Sequence, residues 1–125
     1  MRLLLDSHIL LAMTRASVGS FAPLLSSPDN EKFVSAASFW EIAIKHRLAK
    51  LDLALVLEDF PAYFESLDYT LLPITPPHAI EALLTQPPTR DPFDRMLLAQ
   101  CQVEGLRLVT TDRALVDHPL AWRAP

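Results

Sequence analysis

The chain has 125 residues, 50% of them hydrophobic and 21% charged, with eleven Lys and Arg against fifteen Asp and Glu. That length and balance fit one domain, residues 1–125, with a buried core. Two glycines exclude glycine-rich phosphate loops, one cysteine excludes an internal disulfide or a cysteine cage, and a net charge of -4 argues against a surface built to coat nucleic acid.

The first element is RLLL (2–5), a short apolar run that reads as a buried strand. SHILLAMTR (7–15) reads as a helix beginning directly after Asp6. Asp6, Ser7 and His8 break the apolar stretch, so it suits neither a signal peptide nor a membrane span, and a cytoplasmic setting is expected. KFVS (32–35) is a second strand, followed by AASFWEIAIKHRL (36–48) at helical spacing. There Ala37, Trp40, Ile44 and Leu48 form an apolar stripe expected to face the core, with Glu41 on its edge. ALVLEDFPAYFESL (54–67) reads as a helix that Pro61 divides or kinks. YTLLP (69–73) is a third strand, and PPHAIEALLTQ (76–86) a helix with proline near its start. DPFDRMLLAQCQVEG (91–105) carries the fullest set of helix signals: Asp91 at the N-cap, Pro92 at the first helical position and Gly105 just past the end. LRLVT (106–110) is a fourth strand, DRALV (112–116) a short helix, and LAWR (120–123) a last strand. Short apolar strands alternating with helices imply an α/β fold, a mostly parallel sheet covered on both faces.

In such a sheet, sites form beyond the carboxyl ends of the strands. Asp6 follows the first strand, Asp112 lies two residues past the fourth, Asp94 is in the first turn of the helix before it, and Glu41 is on the helix after the second. Each acid also has a local reading. Asp6, Asp91 and Asp112 can cap helices, Asp94 can face a helix dipole, and Glu41 can pair with Lys45 one turn on. The four histidines, His8, His46, His78 and His118, have no metal-ligand spacing and read as surface or packing residues. Trp40 and Phe93 read as core, and Cys101 as an inert buried thiol.

Taken together, LLLDSHILL, VSAASFWEIAIK and RDPFDRMLLAQCQVEGLRLVTTD resemble the PIN-domain family, specifically its VapC-type toxins of toxin–antitoxin systems, over essentially the whole chain. The resemblance implies a three-layer α/β/α domain. It places the family's first acid on Asp6, its helix glutamate on Glu41, its third acid on Asp94 and its fourth on Asp112. Asp91 belongs to the RDPFDR signature and is a peripheral candidate. Ser7 stands where these proteins often carry threonine, and Thr110 lies on the last motif; both are expected to support the acids. Thr89 stands where the subgroup often has histidine. The implied activity is Mg²⁺- or Mn²⁺-dependent endoribonucleolytic cleavage, with water attacking phosphorus in line to leave a 5′-phosphate and a 3′-hydroxyl. The implied partners are an RNA substrate, an antitoxin whose C-terminal segment covers the acidic groove, and a second copy of the chain.

Elementary electrostatics suits that implication. Four crowded carboxylates repel one another, and an oxygen-only donor set without His or Cys matches Mg²⁺ or Mn²⁺. Fifteen acids less these four leave eleven, equal to the eleven bases, so the net acidity can be assigned to the site. Lys45, Arg47, Arg90, Arg95 and Arg113 lie near the motifs and are candidate RNA phosphate contacts. A PIN-fold module that binds protein or RNA without chemistry is the alternative, and the complete acidic set argues against it. A phosphatase with an aspartyl nucleophile would want a second Asp where His8 stands.

Overall fold

The computed structural model describes residues 1–125. Four strands, β1 (Arg2–Leu5), β2 (Glu31–Ser35), β3 (Thr70–Leu72) and β4 (Arg107–Val109), form one sheet in the order β3-β2-β1-β4, every pair parallel. Parallel neighbours require crossovers, and helices supply them: α1 (Ser7–Thr14), α2 (Ala22–Ser26), α3 (Ala36–Arg47), α4 (Phe60–Ser66), α5 (Pro76–Ile80) and α6 (Pro92–Glu104).

Because strand side chains alternate, each strand feeds two cores. Leu3, Leu5, Val34 and Val109 point to one face, among Ile9, Leu10, Ile42, Phe60 and Phe64. Leu4, Phe33 and Leu108 point to the other, among Leu97, Leu98, Cys101 and Leu115. Helices therefore cover both faces, which is the expected three-layer α/β/α arrangement. At about 25 cal/mol per Å² of apolar area, each fully buried Leu or Phe contributes about 1.5–3 kcal/mol, so both layers hold the sheet in place. No single helix is long and apolar enough to cross a membrane.

Several elements depart from expectation. Residues 54–67 do not form one helix. A 3₁₀ turn at Leu57–Asp59 leads into α4, and Pro61 sits in the first turn of that helix, where its missing N–H costs nothing, instead of kinking it. The helix expected over 76–86 stops at Ile80. Beyond it the Gln102 side chain donates to Glu81 and to the Ala82 carbonyl and accepts from Leu84 N–H, and these bonds replace helical ones. DRALV forms turns instead of a helix, and the strand expected at 120–123 is reduced to one bridge between Leu108 and Ala121. Two short helical turns, Gly19–Phe21 and α2, fall where no element is expected.

The largest correction concerns α3. Its buried face is Ala37, Ser38, Glu41 and Ile42, whereas Trp40 and Leu48 are each 59% exposed. Of the expected stripe Ala37 is buried and Ile44 half-buried, while Trp40 and Leu48 face outward and the carboxylate faces inward. Trp40 is thus not a core residue; it stands edge-on to half-buried Phe93 at a centroid distance of 5.3 Å.

Candidate active site

The register aligns the carboxyl ends of three adjacent strands, β2, β1 and β4: Leu5 lies beside Val34 and beside Val109. The next residue on each strand is Asp6, Ser35 and Thr110, all buried. Asp6 N–H donates to the Val109 carbonyl, which continues the ladder one step and fixes the acid at the sheet edge.

Asp6 is 3% exposed. Its Oδ1 accepts from Ile9 N–H at 3.0 Å, so it does cap α1, and its Oδ2 accepts from the Thr110 hydroxyl. Burial raises its pKa, the bonds from Thr110 and Ile9 hold the rise back, and the Glu41 charge adds to it. The cap and the sheet-edge acid are one residue.

Thr110 ties two acids together. Its hydroxyl donates to Asp6 and accepts the Asp112 N–H at 3.0 Å. Asp112 in turn accepts from Ala114 N–H at 2.9 Å, which organises the turn that follows. Ser7, one residue after Asp6, donates to Glu41 Oε1 at 2.8 Å across to α3. The other Glu41 oxygen pairs with Lys45 Nζ at 2.6 Å, so the i, i+4 pair read from the sequence is present, with its acid buried.

Asp94 reports how close the acids stand. Its pKa is pushed up to about 7, first by burial and then by the charges of Asp91, Asp112, Glu41 and Asp6. No hydrogen bond offsets the rise. Asp91 caps α6 by accepting from Phe93 N–H at 2.9 Å, and its charge falls on Asp94 three residues on. Residues from four segments, about a hundred positions apart at the extremes, therefore share one field.

The basic residues divide. Lys45 is the one that contacts an acid of this set. Its pKa is raised, chiefly by its bond to Glu41, with Asp91 and Asp94 contributing. Arg47, Arg90 and Arg113 are exposed, while Arg95 donates to Gln86 at 2.6 Å and is engaged by the loop before α6. Sequence reasoning passed over Ser38. It lies three residues before Glu41 on the same buried face of α3, and its hydroxyl has no hydrogen-bond partner. The spacing from Glu41 is the signal that would have found it. The largest cavity, about 720 Å³, lies elsewhere, lined by Met13, Leu25 and Tyr69 and by none of the acids.

The donor set fits a divalent cation in kind: oxygen atoms alone, with repulsion that a cation would relieve. The side chains do not stand as a finished cage, since no three of them converge on one point. Asp6 and Glu41 each have both oxygens bonded to protein donors, with one lone pair left on each oxygen.

Comparison with known proteins matches the sequence to the PIN domain over residues 3–119. No curated protein matches the chain. The match begins within β1 and ends past β4, so it takes in every helix and all four acids, and on that span the chain belongs to the PIN domain family.

Proposed function

We propose that this PIN domain is a metal-dependent endoribonuclease and the toxin of a toxin–antitoxin pair. The observation that carries the reading is the gathering of the acids at one sheet edge, where Thr110 bonds both Asp6 and the Asp112 backbone, Ser7 bonds Glu41, and the charges of its neighbours bear on half-buried Asp94. Such repulsion is a standing demand for a cation, and PIN domains are often nucleases. Asp6, Glu41, Asp94 and Asp112 would hold Mg²⁺ or Mn²⁺, directly or through water, with Asp91 at the periphery. When bound, the ion lowers the pKa of a water and stabilises the charge that grows on a phosphodiester.

The chain's own residues do the positioning. Thr110 fixes the Asp6 carboxylate and the Asp112 backbone, and Ser7 fixes Glu41. Arg47, Arg90 and Arg113, exposed near the acids in sequence, would meet RNA phosphates and orient the strand. The products expected are a 5′-phosphate and a 3′-hydroxyl. An antitoxin segment covering the acidic groove would compete with RNA for the same surface, and a second copy of the chain is the expected oligomeric partner.

One observation favours a second reading, a binding module without chemistry: the acids form no closed cage. Cleavage of end-labelled tRNA and rRNA separates the two. Discrete fragments that require Mn²⁺, vanish in EDTA and vanish in Asp6→Asn support the nuclease. Antitoxin or RNA binding without such fragments supports the module.

A further inference from the structure

We propose that Lys45 is a built-in counter-cation that occupies Glu41 in the metal-free chain and must leave it before a divalent ion binds there. The inference rests on the nuclease reading above. It begins from the two oxygens of Glu41, which is 4% exposed. Ser7 holds one at 2.8 Å and Lys45 holds the other at 2.6 Å, so an ion using a remaining lone pair of Glu41 would stand beside the ammonium.

The two donors are not equally fixed. Ser7 is 5% exposed and set in the first turn of α1 beside Asp6. The Lys45 side chain is 43% exposed, and its ammonium rides on a flexible four-carbon stem. Lys45 can swing into water at little cost, whereas the buried Ser7 hydroxyl would lose its partner away from water. An ammonium and a divalent ion at adjacent positions on one carboxylate repel strongly where water is partly excluded. They therefore take the position in turn.

This exchange accounts for two observations together. The acids lie close enough for all their charges to reach Asp94, yet no three of them converge as ligands. With Lys45 seated on Glu41, part of the cluster's charge is already neutralised and one ligand is turned inward to the ammonium. Lys45 also lies within the fields of Asp91 and Asp94, so its charge serves the cluster as well as its own partner. When the ion arrives, the displaced ammonium stays one turn of α3 from Glu41, free to meet an anion such as an RNA phosphate. Binding of the ion would thus free a phosphate contact that the metal-free chain keeps masked.

The test is Mn²⁺ binding to the metal-free chain by calorimetry, comparing wild type, Lys45→Met and Glu41→Gln. Competition predicts that Lys45→Met binds Mn²⁺ about fivefold more tightly or better. Glu41→Gln should bind it more weakly. In the wild type, Mn²⁺ should also raise the acylation of Lys45 by an amine reagent, a readout that stands if Lys45→Met fails to fold. Weaker or unchanged Mn²⁺ affinity in Lys45→Met, or acylation unmoved by Mn²⁺, overturns the inference and makes Lys45 a fixed brace. If wild type shows Asp6-dependent RNA cleavage while either of those results is found, the exchange alone falls. If wild type neither binds Mn²⁺ nor cleaves RNA, the nuclease reading falls and takes the exchange with it.

Discussion

Asp94 carries the clearest consequence at the scale of single residues. Its carboxyl titrates near 7 in the folded chain against an ordinary 3.8. Between those two values the folded state binds more protons than the unfolded state, so this group makes stability fall as pH rises through the window. Below about 4 the acid is protonated in both states, and above about 7 the full penalty is present. The metal-free chain, unfolded by urea in EDTA from pH 4 to pH 8, should therefore lose less stability with rising pH when Asp94 is replaced by Asn. Matching profiles for wild type and Asp94→Asn would show that the acids do not share a field. The placement of these acids at one sheet edge was legible in the sequence, because they follow strand ends or lie on the helices beside them. What was not legible was their bonding. No spacing rule shows that Thr110 bridges Asp6 and Asp112, since that bond depends on β1 and β4 being neighbours across about a hundred residues.

Among the elements, the helices differ in how they stop. Only α6 ends on a glycine, Gly105 at φ 68, and it is the helix whose limits were read correctly at both ends. Helices α1, α3 and α4 are followed by Ala16, Ala49 and Asp68 in the same left-handed conformation, at φ 52, 55 and 63. The backbone bonds Ser17 N–H to Ala12, Lys50 N–H to Lys45 and Tyr69 N–H to Phe64 close each end as Leu106 N–H to Cys101 closes α6. Glycine marks none of these three stops, yet the expected ends at 15, 48 and 67 fall one residue past Thr14, Arg47 and Ser66. The stops also hold strain, since a left-handed Ala costs about 1 kcal/mol relative to Gly there. Ala49→Gly should raise stability by about 0.5–1 kcal/mol in urea denaturation, even though glycine increases the entropy of the unfolded chain. A loss of stability would mean that the α3 end is not closed in this way. The misread face of α3 has its own cause. Helical periodicity locates a stripe but does not say which side meets the sheet, and here a buried carboxylate, held by Ser7 and Lys45, takes the inner side while Trp40 stays outside.

For the molecule as a whole, the parallel sheet is the device that gathers the acids. With β1 between β2 and β4, three strand ends arrive at one edge, and α3 and α6 bring Glu41 and Asp94 to it. The fold class was legible because strands and helices alternate along the chain, and the meeting of the acids at one sheet edge followed from their places at or beside the carboxyl ends of strands. The short turns at the C-terminal end were not legible, because 113–123 is organised by side-chain caps and one bridge instead of a periodic pattern. The central claim is that acids drawn from four segments act as one cation-holding unit. The most direct test is the rate of RNA cleavage in Mn²⁺ for Asp6→Asn, Asp94→Asn and the double variant, each checked for native folding. Groups acting as a unit are non-additive: each single substitution should lower the rate by about 100-fold or more, and the double should fall little further. If Asp94→Asn keeps its rate within a few-fold of wild type, or the two losses multiply, the acids do not form one site and the account is wrong.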